Sequence, residues 1–485
     1  MIITRSWLWL SLGFIVLLGI SAAAGVLFFS TDVTVEDALT PLTFELVPVA
    51  AEGKGEQVYS SSTILKARWS APDAERLTIN LTDTVTSAVT EIDVSDAALE
   101  EQNISQLKSG TLYEATLTVC QDALCLFSET SGVATASTSE EYWQLEGDGQ
   151  GWESMTSVAA SGVAAAYVMT NPDSDELTLY TTLRDSETHT AFITSRTLAW
   201  DGLTSWIQDI NNLEKNVIEE TGPLAYSTYQ TIPLIESGRE IVRLFMELHA
   251  EEAEPGIPNS DEVRLASIDS MDGFTGAEFS EEVTVRLGIE ADGEGSPLTH
   301  VRQSKIGWPD RTGDPWNTEE DAFMFITGAD SCGATRDGLF FASWYKNDWI
   351  IGTKDDGCAI PIVERAHGPV IVHLGGDNYK LYFEHRLSDT SNQNKPFHIL
   401  YASGAEGEIL LSDWEDESES REVHFLWPDG TLMNLDNEMG LGDHQIFMPT
   451  HDLGEQYMLV NLGGLDDPTW ERATAGIGVA TLINP

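Results

Sequence analysis

A short apolar strand that ends in a small residue and a hydroxyl residue recurs five times after residue 190. The five copies are Ile193–Ser195, Leu265–Ser267, Phe341–Ser343, Tyr401–Ser403 and Val479–Thr481. Their last residues are 72, 76, 60 and 78 positions apart. A longer β-like run precedes each copy, and the five runs are Leu177–Leu183, Glu240–Leu248, Ala322–Thr327, Tyr379–His385 and Gln456–Leu462. The chain therefore repeats a unit that contains at least two strands.

A unit of this kind is typical of one blade of a β-propeller, because a single four-stranded sheet cannot bury both faces without neighbours. Five copies predict a five-bladed β-propeller over residues 138–485. We expect Tyr142–Gln144 to pair with the last unit and close the ring. One helix is predicted, over Thr204–Glu219, as a connection between blades. The predicted fold class is all-β.

Residues 59–137 contain short alternating runs separated by turns, a pattern typical of a small β-sandwich. The predicted strands are Thr63–Trp69, Leu77–Leu81, Tyr113–Val119 and Leu124–Ser128. The segment resembles a fibronectin type III domain. Trp69 stands where that family buries an early-strand Trp, and Leu107–Ala115 is similar to its leucine, turn and tyrosine-corner stretch. The resemblance implies a spacer that needs no ligand of its own.

The amino-terminal segment, residues 1–30, contains 23 consecutive residues without a charge or a proline, Trp7–Phe29. This run is long enough to cross a bilayer and exceeds the roughly 7–15 apolar residues of a secretory signal. Arg5 precedes it and acidic residues follow it, which predicts a single-pass anchor in the cell membrane with the bulk of the chain extracytoplasmic. A signal peptide cleaved near Ser21–Ala24 is the alternative. Residues 31–58 are predicted to form an extended acidic stalk.

The four cysteines fall into two local pairs, Cys120 with Cys125 and Cys332 with Cys358. An even number of cysteines outside the cytoplasm predicts two disulfides. A zinc site is the alternative for either pair, although no further Cys or His at ligand spacing accompanies them.

The composition is strongly acidic, since 25 Lys plus Arg stand against 79 Asp plus Glu and give a formal net charge of −54. Nucleic acids and anionic lipids need a basic surface, so the charge excludes nucleic acid as a partner. A solvated, salt-adapted surface, divalent-cation sites and a basic partner are the three interpretations of this charge. No segment matches a calcium-binding EF-hand loop.

A proline lies near the start of the longer run in each unit, and the five dipeptides are Asn171-Pro172, Ile232-Pro233, Asp314-Pro315, Gly368-Pro369 and Met448-Pro449. With the number and length of the units, these prolines make residues 138–485 similar to the five-bladed propeller glycosidases, namely arabinanases, β-xylosidases and fructosidases. In that group one Asp-Pro carries the catalytic base, another Asp-Pro a supporting carboxylate, and Glu-Gly-Pro the acid. The resemblance implies that these positions share one mouth of the ring.

Only Asp314 matches the glycosidase pattern. Asn171 stands in place of the base, where an amide cannot accept a proton from water, and His367 stands in place of the acid. Glycoside cleavage needs two carboxyl groups, so the chain is predicted to be a degenerate glycosidase propeller that binds a polysaccharide without hydrolysing it. The alternatives are an active hydrolase, in which Glu364 or His367 is a displaced acid acting with Asp314, and a scaffold or adhesion protein that binds an envelope protein.

Trp308 and Trp316 lie in a polar stretch rich in glycine and proline, and are the predicted exposed aromatic pair. Their flat apolar faces suit stacking on sugars, so they are predicted to bind carbohydrate together with Asn171. His444 and His451 flank Pro449, where the glycosidases often place a histidine near a central ion. The resemblance therefore implies calcium at these two residues, and no other cofactor is predicted.

Overall fold

The computed structural model describes residues 42–485 with internal gaps. The gaps are residues 52–58, 72–73, 95, 97, 123, 150–154, 160–162, 171–175, 185–190, 222–229, 237–238, 250–251, 255–256, 259–262, 271–282, 285–286, 289–297, 308–322, 331, 334–337, 346–347, 355–356, 376–377, 386–397, 406–420, 434–441, 450–454 and 462–476. The described residues form 34 β-strands and one α-helix, which confirms the all-β class. The predicted anchor lies outside them, and within them no helix has the length and apolarity needed to cross a membrane.

The first eight strands form a two-sheet sandwich. They are β1 (Thr43–Ala50), β2 (Ser60–Ser70), β3 (Arg76–Asp83), β4 (Val89–Val94), β5 (Glu101–Ile104), β6 (Leu112–Cys120), β7 (Ser128–Thr130) and β8 (Ala134–Ser137). One sheet has the order β1-β2-β5, and the other has the order β4-β3-β6-β7 with β8 also paired to β6. Alternate residues of both sheets, including Trp69 and Tyr113, fill one apolar core. The Tyr113 hydroxyl accepts the backbone N–H of Lys108 at 2.8 Å, a tyrosine corner of the kind that the fibronectin type III resemblance predicts.

Two predictions for this region are wrong. The predicted stalk, residues 31–58, overlaps β1, which pairs with β2 from Thr43↔Ser70 to Ala50↔Ser60. Pro48 is tolerated there because β1 is an edge strand. The predicted strand at Leu124–Ser128 is a loop up to Phe127, because strand pairing resumes only at Ser128.

The remaining strands build five sheets. The closing segment contributes β9 (Tyr142–Leu145) and β10 (Ser157–Ala159). Sheet I contains β11 (Val163–Thr170), β12 (Glu176–Arg184), β13 (Ala191–Ala199) and β14 (Asn216–Thr221), and α1 (Leu203–Asn212) lies between its last two strands. Sheet II contains β15 (Gln230–Glu236), β16 (Arg239–His249), β19 (Val263–Ser270) and β20 (Val283–Thr284), with the small hairpin β17 (Glu252–Glu254) and β18 (Ile257–Pro258) between them.

Sheet III contains β21 (Leu287–Gly288), β22 (Leu298–Gly307), β23 (Phe323–Asp330), β24 (Gly338–Tyr345), β25 (Asp348–Ile351) and β26 (Pro361–Glu364). Sheet IV contains β27 (Ala366–Gly375), β28 (Asn378–His385), β29 (His398–Ala405) and β30 (Arg421–Glu422). Sheet V contains β31 (His424–Leu426), β32 (Gly442–Phe447), β33 (Tyr457–Asn461) and β34 (Ile477–Leu482), and β9 and β10 join it.

One edge strand of each sheet, which we call its first strand, contacts the first strands of the two neighbouring sheets. These five strands form a closed circle in the order β11, β15, β22, β27, β32 and back to β11. Five sheets around such a circle form a five-bladed β-propeller. The predicted ring closure is confirmed, because β9 adds to sheet V through Leu145↔Ala480 and Trp143↔Leu482. Apolar side chains between sheets IV and V, and between sheets V and I, form continuous cores.

The two strands of the predicted repeat are the second and third strands of each sheet. The first strands precede them and were not predicted from the sequence, because they carry polar residues, glycines and prolines that break the alternation of apolar residues. The predicted helix also differs: α1 ends at Asn212 and lies inside sheet I instead of between blades. Arg196 donates to the Ile210 carbonyl at 3.0 Å, which places a positive charge at the carboxyl end of α1.

Both predicted disulfides are present, Cys120–Cys125 in the sandwich and Cys332–Cys358 in sheet III.

The sandwich and the propeller meet at the end of β34. The Ser62 N–H donates to the Asn484 carbonyl at 2.9 Å. The buried Asn484 side chain accepts the N–H of Tyr142 at 2.9 Å and donates to the carbonyls of Glu140 at 2.7 Å and Ser60 at 3.2 Å.

Candidate functional site

The propeller has two rims, and the direction of its strands decides which candidate residues can meet. We call the end at which the first strands begin the start rim, and the opposite end the end rim. In sheet III, Glu364 of β26 pairs with Gly338 of β24, and Gly338 pairs with Gly328 of β23. Gly328 in turn pairs with Val301, near the beginning of β22. Glu364 is exposed there. The last residue of β22, Gly307, pairs with Phe323 at the other end of the sheet.

Contacts between sheets show that the neighbouring blades share these rims. The Gly368 N–H, near the beginning of β27, donates to Thr327 Oγ1 at 3.2 Å in sheet III. His444, near the beginning of β32, contacts Glu384 in the part of β28 that pairs with the beginning of β27. At the end rim, the Thr170 hydroxyl of β11 donates to the Met448 carbonyl at 3.0 Å.

The predicted site residues therefore divide between the two rims by chain position. His367 pairs in register with Glu384 at the start rim, on the same rim as Glu364. Asn171 directly follows β11, and Trp308 directly follows β22, so the chain enters both connections from the end rim. Asp314 and Trp316 belong to the same connection as Trp308. Five of the predicted site residues lie outside the described residues, namely Asn171, Trp308, Asp314, Trp316 and His451. The side chain of His367 also lies outside them.

The proline positions are not equivalent in the five sheets. Pro172, Pro315 and Pro449 fall between first and second strands, whereas Pro233 lies within β15 and Pro369 within β27. Pro369 is tolerated because the pairing of β27 with β28 shifts register between His367 and Val370. The five prolines therefore do not occupy one equivalent position in the blades. The replacement of a base by Asn171 stays a prediction.

A buried imidazole–carboxylate pair lies at the start rim between sheets IV and V. His444 Nδ1 is 3.2 Å from Glu384 Oε1, and the two residues are 0% and 4% exposed. His444 Nε2 is buried and has no hydrogen-bond partner among the described residues. A carboxylate on one ring nitrogen fixes the orientation of the ring and leaves the other nitrogen able to bind a proton, a metal or a polar group.

The surroundings of His444 do not provide a calcium site within the described residues. Calcium takes six to eight oxygen ligands, and Glu384 is the carboxylate that the structure places against His444. In the described part of the chain, one cluster of His, Cys, Asp or Glu could converge on an ion, and it consists of Asp330, Cys332 and Cys358. Both of its sulfurs form a disulfide, so they cannot bind a metal. Calcium at His444 and His451 stays a prediction.

A second buried polar cluster links the closing strand to sheet IV. Glu141, which is fully buried, forms an ion pair with Lys380 Nζ. The Tyr382 hydroxyl donates to Glu141 Oε2 at 2.9 Å, and the Trp143 indole N–H donates to the same oxygen at 3.3 Å. These contacts join the residue before the closing strand β9 to the second strand of sheet IV.

Reasoning from the sequence missed both buried clusters. Lys380, Tyr382 and Glu384 alternate along β28 and therefore project from one face of a central strand. The signal was present as three polar residues at a spacing of two, which alternate with Tyr379, Leu381 and Phe383. Their partners Glu141 and His444 are distant in the chain. His444 was a candidate only as a calcium ligand, and no sequence pattern marks Glu141.

No protein-family model matches the chain, and no curated protein matches it. Solved structures that resemble it include an α-L-arabinofuranosidase from Lactobacillus brevis, with 12% identity and a TM-score of 0.40, over 66% of this chain and 90% of that chain. A Penicillium chrysogenum α-L-arabinanase complexed with arabinobiose has 13% identity and a TM-score of 0.38, over 68% and 97%. A two-domain fibronectin type III segment from chicken tenascin has 12% identity and a TM-score of 0.15, over 49% and 94%. At this level of similarity, the assignment of the fold depends on the sheet topology given above.

Proposed function

We propose that this protein is an extracytoplasmic carbohydrate-binding protein, held at the membrane by residues 7–29, whose propeller binds a polysaccharide at its end rim. One observation carries the proposal. The first strands β11 and β22 both end at this rim, so the connections that contain Asn171, Trp308 and Trp316 leave the ring on one side. Connections that carry an amide and two indole rings and begin at one rim of a propeller suit hydrogen bonding and stacking on sugar rings.

The described strands give no support to hydrolysis by Glu364 together with Asp314. Glycosidases hold their two carboxyl groups about 5–9.5 Å apart across the scissile bond. Glu364 lies level with the beginning of β22, near Val301, whereas the connection to Asp314 starts after Gly307. Six residues of strand separate these two levels by roughly 20 Å. The displaced-acid mechanism with Asp314 and Glu364 therefore lacks support from the strand arrangement.

A glycan array tests the binding proposal with the full chain in detergent. We expect retention on a polysaccharide, and about tenfold weaker binding for each of Trp308→Ala and Trp316→Ala, because each loses one stacking surface. Phe127→Ala is the matched control, since Phe127 is an exposed aromatic residue of the sandwich, 71% exposed, and its loss leaves the propeller intact. The proposal would be contradicted if the chain binds none of the glycans on the array. It would also be contradicted if all three variants lose the same amount of binding.

Turnover assays separate binding from the enzyme alternative. We expect no sugar release from arabinan, xylan or fructan. Release that disappears with Asp314→Asn and with either Glu364→Gln or His367→Gln would establish the hydrolase instead.

The anchor is tested separately: the full chain should stay with membranes during alkaline extraction, and a mature amino terminus near Ala24 would show a cleaved signal peptide.

A further inference from the structure

The sandwich has one end at the propeller and one end away from it. The Ser62 N–H, near the beginning of β2, bonds to Asn484 of the propeller, whereas Ser70 ends the same strand. Over its 11 residues β2 spans about 35 Å. Thr43 pairs with Ser70, so the chain enters the sandwich at the end away from the propeller, which we call the far end.

The far end also carries a short loop with exposed apolar side chains. We call residues 120–127 the disulfide loop, because Cys120 and Cys125 are bonded within it. Cys120 pairs with Arg76, the first residue of β3, and this register places the loop at the far end. Leu124, Leu126 and Phe127 are 79%, 74% and 71% exposed, which makes them the three most exposed large apolar side chains among the described residues.

The shape of the disulfide loop is fixed by bonds that do not involve these three side chains. One carboxylate oxygen of Asp122 accepts the N–H groups of Leu124 at 2.9 Å and Leu126 at 3.1 Å, and the other accepts the N–H of Phe127 at 2.9 Å. These bonds lower the pKa of Asp122, so the carboxylate stays charged and keeps the loop folded at neutral pH. A loop held in this way presents its apolar side chains without a large ordering cost.

We propose that the disulfide loop inserts Leu124, Leu126 and Phe127 into the outer leaflet of the membrane, beside the anchor of the same chain. The inference rests on the proposed anchoring by residues 7–29. Residues 30–41 join the anchor to Leu42, which directly precedes β1 at the far end. Twelve residues reach at most about 40 Å, so the far end stays within reach of the bilayer. The propeller then lies on the side of the sandwich away from the membrane.

Charge indicates which kind of lipid contact is involved. A chain with a net charge of −54 is repelled by anionic headgroups, so attraction to an acidic membrane does not drive the contact. Burial of apolar side chains needs no headgroup charge, and interfacial segments place them about 5–10 Å into the boundary between headgroups and acyl chains. Zwitterionic phosphatidylcholine is therefore a sufficient partner.

The test uses the full chain reconstituted in phosphatidylcholine liposomes. An environment-sensitive fluorescent amino acid is incorporated at Leu126, and at Val89 in a matched control. Val89 is 63% exposed and pairs with Thr82, next to the propeller end of the sandwich. We expect a blue shift of emission at position 126 and quenching by lipids with a spin label high on the acyl chain. At position 89 we expect neither effect.

The outcomes distinguish this inference from the anchoring on which it depends. A chain that sediments with liposomes but shows water-like emission at position 126 overturns the insertion of the loop and leaves the anchor in place. A chain that does not sediment with liposomes overturns both. Equal quenching at positions 126 and 89 shows general adsorption and overturns the specific insertion. A blue shift without quenching by lipid shows that a protein covers the loop, which also overturns it.

Discussion

Nδ1 of His444 lies 3.2 Å from Oε1 of Glu384, and this contact joins the first strand of sheet V to the second strand of sheet IV. Both side chains are buried, so bulk water cannot replace the hydrogen bond between them. A buried hydrogen bond in this position constrains how two blades pack, because it forms only in one arrangement of the two strands.

A double-mutant cycle on Glu384→Gln and His444→Asn should give a coupling free energy of about 0.5–3 kcal/mol, because the two groups contact each other in a buried site. Urea unfolding of the propeller, followed by tryptophan fluorescence, measures it. The control cycle uses Lys66 and Glu101, an exposed pair with an N–O distance of 3.0 Å. Water screens that pair, and we expect no measurable coupling there. Equal couplings in the two cycles would show that the His444 contact is not an energetic link between blades.

Substitution of Glu141 should be more damaging. Glu141→Gln removes the carboxylate that pairs with Lys380, which is 4% exposed, and removal of one partner of a buried ion pair costs about 3–5 kcal/mol of unfolding free energy. The double variant Glu141→Gln with Lys380→Met should recover most of this loss, because it also removes the buried charge while the Gln amide oxygen can still accept from Tyr382 and Trp143. The urea midpoints of the two variants check the prediction. A double variant as unstable as the single one would show that Glu141 acts through Tyr382 or Trp143 instead of through charge.

The sequence was sufficient to predict the number of blades and the closure of the ring. Runs such as Tyr379–His385 and Val479–Thr481 became second and third strands because they are buried on both faces and rich in apolar residues. The first strands escaped prediction because they surround the axis, where small and polar residues fit. β11 begins Val-Ala-Ala-Ala, and β27 contains His367, Gly368 and Pro369.

The arrangement of the site could not be predicted in the same way. The rim on which a residue lies depends on the order and direction of the strands. The first strand of each sheet sets that order, and the first strands were not predicted. Glu364 and Asp314 are only 50 positions apart in the chain, yet Glu364 lies at the start rim, whereas the connection that contains Asp314 begins at the end rim. Glu141 and Lys380 are 239 residues apart in the chain, and no local sequence pattern extends over such a separation.

Acid should weaken the sandwich through Asp83. Burial raises the pKa of Asp83, but the N–H groups of Thr86 and Val85 and the charge of Lys108 outweigh it, so the pKa lies below its usual value. A carboxyl group with a lower pKa in the folded state contributes stability above its unfolded pKa of about 3.9, and this contribution is lost as the pH falls through the folded value. Asp83→Asn should therefore cost roughly 1–2 kcal/mol at pH 7 and progressively less below about pH 4.

Urea unfolding at a series of pH values checks the Asp83 prediction by the difference between wild type and variant. A difference that stays constant with pH would mean that the carboxylate charge contributes nothing and that only the shape of the side chain matters.

The amide of Asn484 should couple the sandwich to the propeller. It satisfies three backbone groups, the N–H of Tyr142 and the carbonyls of Glu140 and Ser60, and its side chain is 0% exposed. Asn484→Ala leaves all three groups without this partner, and we expect a loss of about 2–4 kcal/mol together with separate calorimetric transitions for the two domains. Asn212→Ala, at the exposed end of α1, removes an amide that bonds only within the helix and should change little. If Asn484→Ala melts like the wild type, the junction depends on the backbone bond from Ser62 to Asn484, because that bond survives the substitution.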